Sequence, residues 1–190
     1  MKKLITLLSI SFAANATNAF AHPGHDVASG AMAGFMHPLT GIDHLVALLC
    51  VGVLLAGGSH RVRWQGIILM VSALALGAGI GLAGFVLPAA EWMIALSVLV
   101  AGVMVVWAHA ARPLLLLPGI AIFALFHGYA HGVEVTGSSV AFVLAFLAAS
   151  VALVGAGSYA TLAALRPATR VIFGVSATLV GIVLAASRFG

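Results

Sequence analysis

Charged residues are scarce in this chain. Only 6% of its 190 residues are charged, whereas 63% are hydrophobic. Soluble domains average about 25% charged and about 45–50% apolar residues, so the composition excludes a water-soluble fold and indicates a membrane protein. The excess of eight Lys and Arg over four Asp and Glu is a pattern also seen in nucleic-acid-binding proteins. Here the arginines fall at predicted helix ends, and we expect no nucleic-acid partner.

Cysteine is nearly absent. The single residue, Cys50, excludes an intrachain disulfide and a cysteine-rich metal cluster. It lies within a predicted membrane span, where we expect a small buried packing residue rather than a soft metal ligand. A nucleotide-binding P-loop motif is also missing, so this chain is not expected to hydrolyse ATP itself.

The first 21 residues have the pattern of a secretory signal peptide. Lys2 and Lys3 form a positive start, residues 4–14 are apolar, and the run 19–21 (AFA) fits a small-x-small cleavage site. An uncleaved first helix is the alternative, but the apolar stretch is short and turns polar at Asn15. We therefore expect the mature chain to begin at His22, outside the cytoplasmic membrane.

The remaining residues, 22–190, are expected to form a single all-α, six-helix transmembrane domain in a lipid bilayer. A membrane-spanning helix needs about 20 apolar residues, and about six such stretches follow the signal peptide. Their approximate bounds are 32–56, 64–87, 91–111, 114–133, 138–164 and 169–188. No linker or soluble domain separates them. The sequence does not indicate the oligomeric state.

Arginine positions give an independent prediction of orientation. If the mature N-terminus lies outside, the loops after spans one, three and five face the cytoplasm. Those loops hold five arginines, and only Arg188 lies at the outer end of a span; the five are Arg61, Arg63, Arg112, Arg166 and Arg170. This asymmetry follows the positive-inside rule. It predicts a multi-pass protein of the bacterial inner membrane with a periplasmic N-terminus.

The stretch HPLTGIDH, residues 37–44, puts polar groups into the first span. Ionisable residues inside a membrane are expensive and mark functional sites by default. His37 and His44 are seven residues apart, which separates them by roughly 10 Å on a regular helix, too far for one ion. Pro38 and Gly41 make a regular helix doubtful here, and a distorted turn would bring His37 nearer to Asp43 and His44.

A second polar stretch, FHGYAHGVE at residues 126–134, ends the fourth span. His127 and His131 are four residues apart and share one helix face, which Glu134 continues. Two imidazoles and a carboxylate converging in this way resemble half of a first-row transition-metal site. Because span one enters from the outside and span four exits to it, both stretches are expected in the outer part of the bilayer.

Each of these polar groups also has a purely structural interpretation. The histidines could form only a hydrogen-bond network, and Asp43 could simply pair with a protonated histidine. We expect His60 and His109, near cytoplasmic ends, to be solvated or interfacial. Glu91 either stabilises a helix N-terminus or lies at a metal entrance.

The expected mature N-terminus, HPGHD at residues 22–26, is a further candidate. His22 would carry a free α-amine beside its imidazole, and His25 and Asp26 follow closely. These groups could collect a divalent cation from the periplasm. A disordered terminus with incidental histidines remains the alternative.

The two polar stretches resemble the signatures of the HupE/UreJ family of nickel permeases, which accompany nickel-dependent hydrogenases and ureases. Residues 37–44 are similar to the family's HPxxGxDH, and residues 126–134 to its FHGxAHGxE. The likeness extends over the signal peptide, the number of spans and the length.

The resemblance implies transport of Ni²⁺, or of Co²⁺, with no prosthetic group and no catalytic residues. The metal ligands would be His37, Asp43, His44, His127, His131 and Glu134, with His22 and His25 collecting the ion. The function predicted is import from periplasm to cytoplasm to supply nickel enzymes. An intramembrane zinc-dependent hydrolase is the alternative, with histidines and acids holding Zn²⁺ and one position open for an activated water.

Overall fold

A computed structural model describes residues 30–107, 113–135, 138–163 and 166–188. The predicted signal peptide and the N-terminal candidates lie outside these ranges, as does part of one arginine-bearing loop. The residues concerned are His22, His25, Asp26, His109 and Arg112.

The described residues form seven helices and no strand, which confirms the all-α class. In chain order they are α1 (Gly30–Thr40), α2 (Ile42–Ala56), α3 (His60–Leu82), α4 (Ala90–Val106), α5 (Pro113–Glu134), α6 (Ser139–Ala163) and α7 (Pro167–Ala186).

Every predicted span overlaps a helix or the pair α1–α2. Helices α3, α5, α6 and α7 are long and apolar enough to cross a membrane, and α1 with α2 adds a fifth candidate if the pair is one broken span. Helix α4 is apolar but has 17 residues, slightly fewer than the roughly 20 that a bilayer requires. The chain is a multi-pass membrane protein with four to five candidate spans by length and composition.

The first predicted span is broken at Gly41, where α1 and α2 meet at an angle of 73°. Pro38 lies inside α1 and has no N–H to donate to the preceding turn. Gly41 has an extended backbone and is the N-cap of α2. A Cβ at Gly41 would crowd Asp43 Oδ1, at 3.1 Å, and His44 Nδ1, at 3.4 Å. The distorted turn expected from Pro38 and Gly41 is therefore present.

Glycines let α3 and α5 pack with their backbones in contact, side by side and parallel. A Cβ on Gly77 would overlap the carbonyl oxygen of Leu125, and a Cβ on Gly128 would overlap that of Leu74. Small residues at such contacts are typical of membrane helices, where close approach replaces the hydrophobic driving force.

Two further pairs pack on glycine in the same way. Gly52 of α2 meets the backbone of α6 near Val154, and the two helices run parallel. Gly181 of α7 meets the backbone at Leu99, and α7 runs antiparallel to α4. These directions are those expected if successive spans alternate across the membrane. Three glycine-packed pairs, α3–α5, α2–α6 and α4–α7, thus make up most of the bundle.

The two ends of the bundle differ in their polar residues. At one end, here called the polar end, α2, α4 and α6 begin while α3, α5 and α7 finish, and this end carries Asp43 and Glu134. The opposite end, here called the arginine end, carries Arg61, Arg63 and Arg166. Between the ends, large apolar side chains are exposed, as expected for a lipid-facing surface.

Glycine packing can be tested by two substitutions on one helix. A methyl group at Gly77 would strike the α5 backbone, whereas at Gly79 it would meet open space. We expect Gly77→Ala to lower the free energy of unfolding by about 1–3 kcal/mol, the usual effect of overpacking. Gly79→Ala should leave stability unchanged or slightly raise it. Thermal unfolding of the detergent-solubilised protein measures both, and equal stabilities would contradict the packing described.

Candidate metal centre

Four imidazoles from both polar stretches meet at the polar end of the bundle. The rings of His37 and His131 lie 4.3 Å apart between centroids, those of His131 and His44 4.2 Å, and those of His44 and His127 4.4 Å. The rings therefore form a continuous row that runs from half-exposed His37 to buried His127. Helices α1, α2 and α5 each contribute to it.

The break at Gly41 is what allows His37 and His44 to join the same row. Their ring centroids are 5.9 Å apart, whereas the seven-residue spacing would separate them by roughly 10 Å along a straight helix. Bending α1 away from α2 returns His37 towards the start of α2.

The exposed end of the row contains a group of three potential ligands, here called the triad: His37, His131 and Glu134. One ligand atom from each lies within 4.8 Å of the others. Oε2 of Glu134 is 3.7 Å from His37 Nε2 and 4.0 Å from His131 Nδ1. Ligand atoms that bind one first-row ion at about 2.1 Å lie between about 3 and 4.2 Å apart. A small contraction would therefore bring these three atoms into coordination distance.

Asp43 contacts the next ring in the row. Its Oδ1 lies 2.8 Å from His44 Nδ1 and accepts the backbone N–H of His44 at 2.8 Å. Asp43 is in the first turn of α2, where the helix dipole favours a carboxylate. An ionised carboxylate accepts hydrogen bonds only, so His44 carries a proton on Nδ1. Its lone pair in the neutral form is then on Nε2.

His131 has one ring nitrogen that the hydrogen bonds of the described residues leave unused. Its Nε2 lies 2.6 Å from His44 Nε2, and since that atom of His44 accepts, His131 donates. The lone pair of His131 is then on Nδ1, which is buried and without a hydrogen-bond partner among the described residues. Buried polar atoms normally have partners, and an unused lone pair beside Glu134 is what a metal ligand requires.

Ser97 of α4 was not predicted from the sequence as a site residue, yet it contacts the innermost ring. Its hydroxyl donates to the carbonyl of Ile94 at 2.6 Å and lies 2.7 Å from His127 Nε2. A serine has one hydrogen to donate, so His127 donates from Nε2 and keeps its lone pair on Nδ1. As the only hydroxyl in predicted span 91–111, Ser97 was visible in the sequence, but its partner was not.

Two phenylalanines of α6 form an apolar wall beside the row. The ring of Phe146 lies 4.3 Å from that of His131, and the ring of Phe142 lies 6.2 Å from that of His37. With this wall, His131 is only 1% exposed. Nothing distinguished these two residues from other apolar residues of span 138–164.

Glu91 lies at the polar end beside the triad. It is in the first turn of α4 and pairs with Arg188 at 2.6 Å, a partner that the sequence did not indicate. Glu91 and Glu134 also line one open cleft, together with Tyr129. Both interpretations of Glu91, at a helix N-terminus and at an entrance, are compatible with this position.

The remaining candidates lie away from the row. His60 is exposed at the arginine end and accepts a hydrogen bond from Trp64 Nε1 at 3.0 Å. Cys50 is fully buried among apolar side chains, in agreement with a packing role. Neither contributes to the metal centre.

Comparison with known proteins adds a family to this geometry. The family described as HupE / UreJ protein matches residues 10–185, which is nearly the whole chain. The chain belongs to the HupE/UreJ family. The match confirms the resemblance indicated by the two histidine motifs, and it supports a permease-type role in the handling of a metal ion.

One curated relative is similar over most of its length. It is Protein HupE of Rhizobium leguminosarum bv. viciae, which is 36% identical over 137 residues, covering 71% of each chain. No solved structure matches this member of the HupE/UreJ family significantly.

The contact between Ser97 and His127 can be tested without transport. Ser97→Ala removes the acceptor for His127 Nε2–H, so the ring loses its fixed tautomer. We expect the affinity of the purified protein for Ni²⁺ to fall by about 10–100-fold, as when other partners of metal-binding histidines are removed. Ser97→Thr keeps the hydroxyl and should retain most of the affinity.

Calorimetry measures the binding, and ¹⁵N chemical shifts of the histidine rings report the tautomer. Wild-type affinity and an unchanged tautomer in Ser97→Ala would show that Ser97 does not orient His127.

Proposed function

We propose that this protein is a secondary permease that imports Ni²⁺, with Co²⁺ as a possible second cargo, from the periplasm to the cytoplasm. It would lie in the bacterial inner membrane and supply nickel-dependent enzymes such as hydrogenases or ureases. The observation that carries the proposal is the row of four imidazoles, flanked by two carboxylates, at one end of an apolar helical bundle.

The triad is the proposed first binding site. Imidazole nitrogen suits Ni²⁺ as well as other first-row ions, and Glu134 would balance part of its charge. The side chains of His37 and Glu134 are 35% and 57% exposed, so a hydrated ion can reach them from outside. His131 Nδ1 would complete the site from the buried side.

The inner half of the row would bind the ion next. His44 Nε2 and His127 Nδ1 carry the lone pairs there, by the hydrogen-bond argument above. A hydrogen bond between His131 and His44 connects the outer and inner halves of the row. The ion would break this bond and take its place as it moves inwards. Asp43 in this scheme orients His44 and supplies negative charge, as carboxylates behind metal-binding histidines do.

Weak binding at each step is required for transport, because an ion that is held too tightly is not released. The triad and the pair of His44 and His127 are two partial sites next to each other. Each would hold the ion more weakly than one closed site that contains all the ligands. Energy for the movement would come from an ion gradient or the membrane potential, since the chain has no nucleotide-binding motif.

The orientation of the protein in the membrane is inferred from charge. The described arginines other than Arg188 lie at the arginine end, which the positive-inside rule places in the cytoplasm. The triad then faces the periplasm, where Glu134, in the cleft that it shares with Glu91, would attract cations. His22 and His25, outside the described residues, would collect the ion before it reaches this cleft.

The zinc-hydrolase alternative has less support. Such an enzyme needs a carboxylate or another base beside an activated water. All three acidic residues of the described ranges are engaged. Asp43 pairs with His44, Glu91 pairs with Arg188, and Glu134 lies within the triad.

Flux in proteoliposomes containing only the purified protein favours the permease, and hydrolysis of a lipid or peptide without flux favours the enzyme.

Removal of one ring tests the site. We expect His131→Ala and His127→Ala to abolish uptake of radioactive nickel into proteoliposomes, because each interrupts the row. His60→Ala removes an exposed imidazole at the other end of the bundle and should transport like the wild type. If both row variants are correctly folded and still accumulate nickel at the wild-type rate, the site assignment is wrong.

The role of Asp43 can be separated from that of a direct ligand. Asp43→Asn keeps an oxygen that can accept the N–H groups of His44, whereas Asp43→Ala removes it. If Asp43 acts by orienting His44, nickel uptake by the Asn variant should fall between those of wild type and Ala variant. Equal loss of uptake in both would indicate that the carboxylate itself binds the ion.

A further inference from the structure

A cavity begins where the histidine row ends. Its polar lining consists of His44, Ser97 and His127, which lie together at the end of the cavity nearest the row. The rest of the lining is apolar. The cavity has a volume of about 190 Å³ and lies on the buried side of the row, away from the triad.

The cavity extends towards the arginine end. Its far lining includes Leu54, Met104 and Leu115. Leu54 and Met104 each lie two residues before the end of their helix, and Leu115 lies two residues after the start of α5. From His44 to Leu54, ten residues along α2, the distance is about 15 Å at 1.5 Å per residue. The cavity thus covers most of the distance between the metal centre and the opposite end of the bundle.

The volume of the cavity corresponds to several water molecules. A water molecule occupies about 30 Å³ in the liquid, so the cavity would hold about six waters. Divalent cations with octahedral coordination take six ligands, often waters. The cavity therefore has enough volume for an ion released by His44 and His127 to regain waters along the passage.

We propose that this cavity is the exit passage for the transported ion, and that its apolar lining acts as a hydrophobic gate. Apolar constrictions exclude water until they widen and thereby block ions without a physical plug. The histidines would deliver the ion at one end of the passage. The passage would conduct the ion to the arginine end only when the passage itself is filled with water. This inference rests on the proposed permease function.

Gly119 of α5 allows a direct test. It lines the cavity, and a Cβ at this position meets no atom within 4 Å. A leucine there would add three further carbons beyond the Cβ at a position that lines the passage. Gly155 of α6 is the matched control, because its Cβ also meets open space but its surface faces outwards, away from the cavity.

The experiment compares Gly119→Leu with Gly155→Leu in two assays, calorimetric Ni²⁺ binding to the purified protein and ⁶³Ni uptake into proteoliposomes. We expect Gly119→Leu to bind Ni²⁺ like the wild type but to lose about tenfold or more in uptake, since the passage is filled. Gly155→Leu should retain both. Equal uptake by the two variants, whether normal or reduced, would overturn the exit passage.

The two proposals fail in different ways. A wild-type protein that neither binds nor transports nickel would refute the permease itself. A wild-type protein that binds and transports, with Gly119→Leu transporting equally well, would refute only the exit passage.

A second measurement remains if Gly119→Leu does not fold. In a Cys50→Ala background, Val51→Cys would line the cavity, whereas Val53→Cys would be buried in the apolar core on the same helix. A small membrane-impermeant thiol reagent applied from the arginine end during nickel transport, when the gate would widen, should modify Val51→Cys faster than Val53→Cys. Equal rates, or no reaction at either position, would contradict the passage.

Discussion

The hydrogen bond between His44 and His131 joins the two halves of the metal centre. It is the point at which α2 meets α5, and it brings two motifs that are 87 residues apart into one row. In an apolar interior each ring nitrogen needs a partner; Asp43 and His131 partner the two nitrogens of His44, and Ser97 partners Nε2 of His127. His131 Nδ1 is left over beside Glu134. The same constraint that stabilises the row therefore leaves one buried lone pair available for a ligand.

Much of this arrangement could be predicted from the sequence because membrane proteins have simple patterns. Apolar runs of sufficient length gave the helices, and the spacing of His127, His131 and Glu134 gave one shared face. Pro38 and Gly41 indicated a distorted turn, although not its angle of 73°. Local features of this kind are determined by residues within one or two helical turns.

Contacts between distant helices could not be predicted in the same way. Ser97 is a single hydroxyl in an apolar span, and only the packing of α4 beside α5 shows that it accepts from His127. The pairing of Glu91 with Arg188 joins the ends of α4 and α7 and depends on the antiparallel contact at Gly181. Phe142 and Phe146 became part of the site because Gly34 and Gly52 bring α1 and α2 against α6. Each case requires the relative placement of helices, which one sequence does not contain.

The glycine contacts also have a mechanical consequence. Within each of the three pairs the backbones touch, so their helices cannot slide or separate without losing close packing. Contacts between the pairs are less extensive, and the cavity is lined by residues from all three pairs: α2 and α6, α3 and α5, and α4. A displacement of any pair as a rigid body changes the width of this central space while every glycine contact stays intact. The bundle therefore has three stiff units, with its softest boundaries around the space that an ion would have to cross.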